Sequence, residues 1–290
     1  MKTKKLFSLL TTGILATALL GACSSKQSAD GNIQGKTTGF MQLANEDKER
    51  IWFKVSDSND DGEISKDDNV DRVFIINNGK ADAFHILDAT LTDFKGKTDK
   101  EIIEIIKQSD KKYVDKEVEE QIESLNSSIK DSEERIKEFQ YDEESQNAPG
   151  FRKEAIANEN EIIKHRQKRI TELEELEYED IKSLYSNYKI KATVETDSSG
   201  NNVASEEILL PKVFEFESQF IYDNPSDSKP LITRVYDISY EIQYQVQGDI
   251  YKTFYKGYKL DSSEFLVTTS LDKSINLGLD NLETKNVTEE

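Results

Sequence analysis

The chain of 290 residues has a single cysteine, Cys23. An internal disulfide framework is therefore excluded. Histidine is nearly as scarce. His85 and His165 lie on different segments without clustered Cys or acidic partners, which argues against a zinc site at either. Missing too are the runs that carry nucleophiles or cradle phosphates: there is no G-x-S-x-G, no H-E-x-x-H and no Walker A sequence. The 57 acidic residues are so many that two carboxylates at an attractive spacing arise by chance. Nothing here points to an enzyme. Positive charge is short: the formal net charge is −19, and cutting away Lys2, Lys4 and Lys5 would make it −22. Such a surface repels nucleic acid and leaves cations or basic proteins as charged partners.

No apolar run is long enough to span a bilayer. The longest, Leu6 to Leu20, follows Lys2, Lys4 and Lys5 and falls short of the ~20 residues a spanning helix needs. It has the shape of a secretory signal, a basic start and a short apolar stretch. It ends in Leu20-Gly21-Ala22-Cys23, which resembles the lipobox of bacterial lipoproteins. That resemblance implies a signal peptide over 1–22, a diacylglyceryl group on the Cys23 thiol, and cleavage before it. Two acyl chains anchor stably where one does not. The expected address is the extracytoplasmic face of the cell membrane, held by lipid. The polar, glycine-containing residues Ser24 to Gly39 then read as a tether reaching ~20–25 Å by random-coil scaling.

The remaining chain divides by pattern. Residues 40–97 read as a β region: Ile51–Val55, Val70–Ile76 and, after the turn signal Asn77-Asn78-Gly79, Lys80–Phe84. Residues 98–187 read as helical, opening on the capping box Thr98-Asp99-Lys100-Glu101. Val118, Ile122, Leu125, Ile129, Ile136 and Phe139 follow at heptad spacing, with Ser132 in the missing position. Asn147-Ala148-Pro149-Gly150 breaks the run, and a second helix from about Phe151 to Tyr185 predicts a return as an antiparallel hairpin. Its basic run Lys164–Arg169 suits either an acidic or phosphate partner, or pairing across the hairpin with Glu119, Glu120 and Glu123. Residues 188–271 alternate as strands, most clearly from Ile232 to Val246, with a turn expected at Gly248-Asp249. Tyrosines 236, 240, 244, 251, 255 and 258 fit an aromatic platform or cross-strand core pairs. Residues 272–290 read as a disordered tail. The predicted fold class is α+β: antiparallel β-sheet regions flanking a long antiparallel helical (coiled-coil) hairpin. Whether the two β regions share one sheet is left open.

The sharpest chemical motif is Asp57-Ser58-Asn59-Asp60-Asp61-Gly62-Glu63-Ile64-Ser65-Lys66-Asp67-Asp68. It follows the EF-hand loop pattern, offering Asp57, Asn59, Asp61, Glu63, Ser65 and Asp68 as calcium ligands around a turn-permitting glycine. Against this stand Asp68 in place of the bidentate Glu and the strand-like flanks; the alternative is an Asp-rich connection between strands. Arg50-Ile51-Trp52-Phe53, Lys66–Val70 with Asn78-Gly79-Lys80, and Tyr255–Tyr258 with Phe265–Thr268 resemble blocks of a lipoprotein family of streptococci and related Firmicutes. That family has no assigned function, so the resemblance supplies no catalytic or binding residues. The expectation is a lipid-anchored, non-enzymatic surface protein that contacts a protein or envelope partner through its helical hairpin, with calcium binding by the Asp57–Asp68 loop as the alternative.

Overall fold

Strand β2 (Arg50–Ser56) sends alternate side chains to opposite faces, and both faces are buried. This produces two cores rather than one. In the computed structural model, which describes residues 37–141, 149–216, 232–260 and 263–290, Trp52 packs with Phe74, Tyr258 and Leu266 on one side of the sheet. Phe53 and Val55 pack with Val73, Phe265 and Val267 on the other. The second face is covered by a 3₁₀ turn, Leu91–Phe94, and by the first turns of α2 (Asp99–Tyr141), through Ile102 and Ile106.

The chain starts its folded course with β1 (Thr37–Thr38) and α1 (Phe40–Ala44). After β2 come β3 (Asn69–Asn77) and β4 (Lys80–His85), joined at Asn78-Gly79. The helices are α2, α3 (Pro149–Glu174) and α4 (Tyr178–Leu184). Then follow β5 (Tyr188–Lys189), β6 (Lys191–Thr196), β7 (Val203–Phe216), β8 (Ile232–Ile250), β9 (Thr253–Leu260) and β10 (Glu264–Thr268). Last are β11 (Asn276–Leu277) and β12 (Val287–Glu289). Ten strands form one sheet in the order β12-β6-β7-β8-β9-β10-β2-β3-β4-β5, and β1 pairs with β11 apart from it.

Two features curl that sheet. β8 is 19 residues long; up to Glu241 it pairs with β7, and from Ile242 it pairs with β9, with a register shift between Ile242 and Tyr244. β5 and β6, which stand at or near opposite edges of the order, are separated in the chain by Ile190 alone. Its N–H reaches the Gly79 carbonyl at 3.0 Å. One stretch therefore lines β4 at its start and β7 along the rest, so the edges approach each other around the Trp52 core. Gly257 permits the tight β9–β10 contact, since a Cβ there would lie 1.9 Å from the Leu266 carbonyl oxygen.

The fold-class expectation is overturned. The architecture is mixed α/β, built on a single ten-stranded sheet with one long helix, and no coiled-coil hairpin organises it. Of the heptad stripe, Val118, Ile122, Leu125, Ile129, Ile136 and Phe139 are all only half-buried, and the fully buried position is Ser132. Its hydroxyl accepts from Arg135 at 2.9 Å and from Arg166 of α3 at 2.8 Å. Arg135 forks onto Glu159 at 2.9 and 3.1 Å. Polar contacts thus join α2 to α3 where a knobs-into-holes seam was expected. The expected second helix also divides, at Glu175–Glu177, with Glu177 extended ahead of α4.

Two further corrections concern the C-terminal half. β8 runs through Gly248-Asp249, and the chain turns instead at Tyr251-Lys252, both with positive φ (49° and 71°). The expected disordered tail forms β11 and β12 and buries Leu277, Asp280 and Val287. Cys23, the signal peptide and most of the tether lie outside the described residues.

Candidate functional site

The Asp57–Asp68 loop joins β2 to β3, so its flanks are strands. Asp57 turns its carboxylate inward, Oδ2 accepting from the Gly62 N–H at 2.8 Å and Oδ1 from Asn59 at 3.2 Å. Partial burial works against the charge, but the N–H donors from Asn59 to Gly62 outweigh it and hold this carboxyl below the usual range. Asp68 is buried and accepts from Ser65 N at 2.7 Å, Ser65 Oγ at 2.9 Å and Ser58 N at 3.2 Å. Asp61 accepts from Glu63 N at 2.9 Å, while Glu63 is exposed and Asn59 reaches Ser65 at 3.5 Å. Positive φ at Asp60 (54°) and Gly62 (77°) closes the turn. Asp57, Asp61 and Asp68 therefore serve the loop's own donors. Among the described residues, no group of three or more His, Cys, Asp or Glu side chains is arranged to hold a metal ion.

The far side of the loop borders an open cleft of about 250 Å³, lined by Ile64, Ser65 and Lys66 and by Asp249, Ile250 and Tyr251 of the β8–β9 turn. Tyr251 is partly exposed, and the Lys95 ammonium sits 3.8 Å from its ring centroid. That cation–π contact helps to hold a bulky residue in a left-handed conformation that costs roughly 1–2 kcal/mol.

A denser polar cluster lies where the helices meet the sheet. Ile102, Ile106, Asp110 and Val114 of α2 recur every four residues and are all buried, so a carboxylate stands in the apolar stripe. Asp110 Oδ1 accepts from the His85 N–H at 2.8 Å, and Oδ2 accepts from Tyr178 and Tyr185 hydroxyls at 2.8 and 2.9 Å. Lys182 of α4 lies 3.3 Å from Oδ2, donates to the Ala83 carbonyl and sits 3.5 Å from the Phe84 ring centroid. Burial pulls the Lys182 ammonium down to about 8, against the attraction of Asp110. Burial, then the Arg72 and Lys182 charges, hold His85 down to about 3. Its ring is therefore neutral at pH 7, and the 3.9 Å approach of Nδ1 to Asp110 is not an ion pair. The ring stacks on Tyr113 with centroids 3.8 Å apart. Burial, then Asp110, push both tyrosine hydroxyls far above their ordinary values. The protein's own donors take both Asp110 oxygens, so this cluster fastens α2, α4 and β4 together.

The other sequence-marked residues scatter. His165 lies on α3, far along the chain from His85. In the basic run, Lys164 pairs with Glu161, and Lys168 and Arg169 with Glu172, all on α3 itself. Arg166 crosses to the Ser128 carbonyl at 2.6 Å. The expected partners Glu119 and Glu123 face no member of that run in these ion pairs, and Glu120 pairs with Lys116. Tyr240, Tyr255 and Tyr258 are buried while Tyr244 and Tyr251 are exposed. The tyrosines are thus divided between core and surface. Asp110 escaped the sequence reading, although its place in the i, i+4 stripe was the available signal. Among known proteins, no family model, curated protein or solved structure matches the chain.

Proposed function

We propose that this is a non-enzymatic contact protein, anchored at the outer face of the cell membrane by lipid on Cys23, with its α2–α3 projection as the contact element. One observation carries the reading. Up to Val114 α2 buries its apolar residues in the body, but from there to Tyr141 the only fully buried side chain is Ser132. At 1.5 Å per residue, positions 119–141 extend for roughly 35 Å. Near the end of that length Tyr141 and Phe151 are 78% and 64% exposed. Exposed aromatics supply contact area at low entropic cost, and they are enriched where proteins meet partners.

Anchoring rests on the lipobox resemblance. Among the described residues no helix is long and apolar enough to cross a membrane. Two measurements on intact cells test the halves of the proposal separately. Cys23→Ser should move the folded protein from the membrane fraction to the medium; retention in the membrane would remove the anchor. A photo-crosslinking residue at 141 or 151 should capture a discrete partner, and the same residue at exposed Glu207 should not. Equal labelling from all three positions would remove the contact element.

A further inference from the structure

Two carboxyl groups face each other in the interior, away from the sites described above. Glu206 of β7 is 0% exposed and Asp280, between β11 and β12, is 1% exposed. The Asp280 N–H donates to Glu206 Oε2 at 2.7 Å, while Glu206 Oε1 meets no donor. Two ionised carboxylates this close in a dry site repel strongly, so such pairs retain one proton. The partners decide which group holds it. Asp280 is solvated as an anion, since its Oδ2 accepts from Met41 N at 2.5 Å and its Oδ1 from Gln42 N at 3.0 Å. Glu206 lacks comparable donors, so it is the acid, with the Asp280 carboxylate as its acceptor. Burial first, then the Asp280 charge, raise Glu206 to about 9. Burial raises Asp280 as well. The groups acting on the pair are the Tyr258 hydroxyl of β9, Thr284 and the α1 backbone N–H groups.

The pair sits where the chain enters the body and the C-terminal segment returns to it. β1 runs parallel to β11, and the Gly278 N–H reaches the Thr38 carbonyl at 3.1 Å. A Cβ on Gly39 would lie 2.4 Å from the Asp280 carboxyl, so the two segments are in close contact. Asn45 donates to the Lys285 carbonyl at 2.8 Å.

We propose that Glu206 and Asp280 share one proton as a latch fastening residues 276–286 onto residues 37–45, and that losing this proton opens the latch. Deprotonation gives two buried anions, and the proton passes to hydroxide or buffer. A carboxyl raised in the folded state contributes stability at low pH and loses it as pH rises towards its folded value, so opening lies on the alkaline side of neutrality. The proposal is independent of the anchor and of the helical projection.

The only tryptophan, Trp52, reports the event, because its ring centroid is 5.3 Å from that of Phe40 and 6.3 Å from that of Tyr258. Trp52 emission of the full chain should shift to the red as pH rises from about 7 to 10, and Glu206→Gln, which cannot lose the proton, should remove that shift. A flat wild-type profile, or the same transition in Glu206→Gln, would overturn the latch. Carbon-13 carboxyl NMR of the wild type supplies a second reading should the variant fail to fold. One glutamate should titrate above pH 7, and finding none would overturn the proposal.

Discussion

The same helix contains two regions that differ in how they are held. In its first four turns α2 lays Ile102, Ile106 and Val114 against the sheet, each at most 4% exposed, with Asp110 tied to three donors. Its last six turns carry an equally regular apolar stripe, yet every member of that stripe is half-exposed and the buried position is a serine. Both halves carry a stripe at helical spacing, and coverage differs. A stripe states which side chains share a face, whereas the energy comes from the apolar area removed from water. The contrast separates a body made of interlocked cores from a projection joined by polar contacts.

The largest way to break the comparison is at its boundary. Asp110→Ala leaves two tyrosine hydroxyls and a backbone N–H without their acceptor, and the Lys182 ammonium without its counter-charge. Denaturant unfolding should register a loss of about 3–5 kcal/mol, the scale for removing one partner of a buried charged group. A loss under ~1 kcal/mol would mean that the cluster does not hold the joint. Next is a matched pair on one helix: Ile106→Ala should cost about 2–5 kcal/mol as a cavity in the body, and half-covered Leu125→Ala about 1 or less. Equal costs would erase the distinction between the two halves.

Acid sharpens it further. His85 takes up a proton in the unfolded chain near pH 6.5 but in the folded protein only near 3. Stability therefore falls as pH drops through that window, by up to ~1.4 kcal/mol per unit. His85→Phe, which keeps a ring against Tyr113, should flatten this acid limb in unfolding curves taken from pH 7 to 4. An unchanged limb would place the acid sensitivity elsewhere. The smallest effect concerns the β2–β3 loop. Calorimetry with millimolar Ca²⁺ should give no heat if Asp57, Asp61 and Asp68 stay committed to the loop's own donors. Heat that disappears in Asp57→Ala and Asp61→Ala would instead make it a calcium site.

Much of the strand content was legible because the signals are local. The Asn78-Gly79 turn and the alternation from Tyr236 to Val246 need no distant partner to be read. The capping box is equally local, with Thr98 N reaching Glu101 at 2.8 Å and Glu101 N reaching Thr98 Oγ1 at 3.3 Å. What stayed hidden depends on contacts between remote segments. The sheet's closure rests on Ile190 and Gly79, more than a hundred positions apart. Residues 272–290 look like a frayed tail because Leu277, Asp280 and Val287 are too few and too irregular to make a period. The β8–β9 turn moved because the ladder continues to Ile250↔Thr253, which forces Tyr251 and Lys252 into conformations that composition disfavours.

Hydrogen exchange followed along the full chain tests the central distinction most directly. Amides of β2, β9 and β10 should open only with global unfolding, while those of 119–141 and 150–174 should open at markedly lower free energy. Uniform protection across both regions would contradict the account.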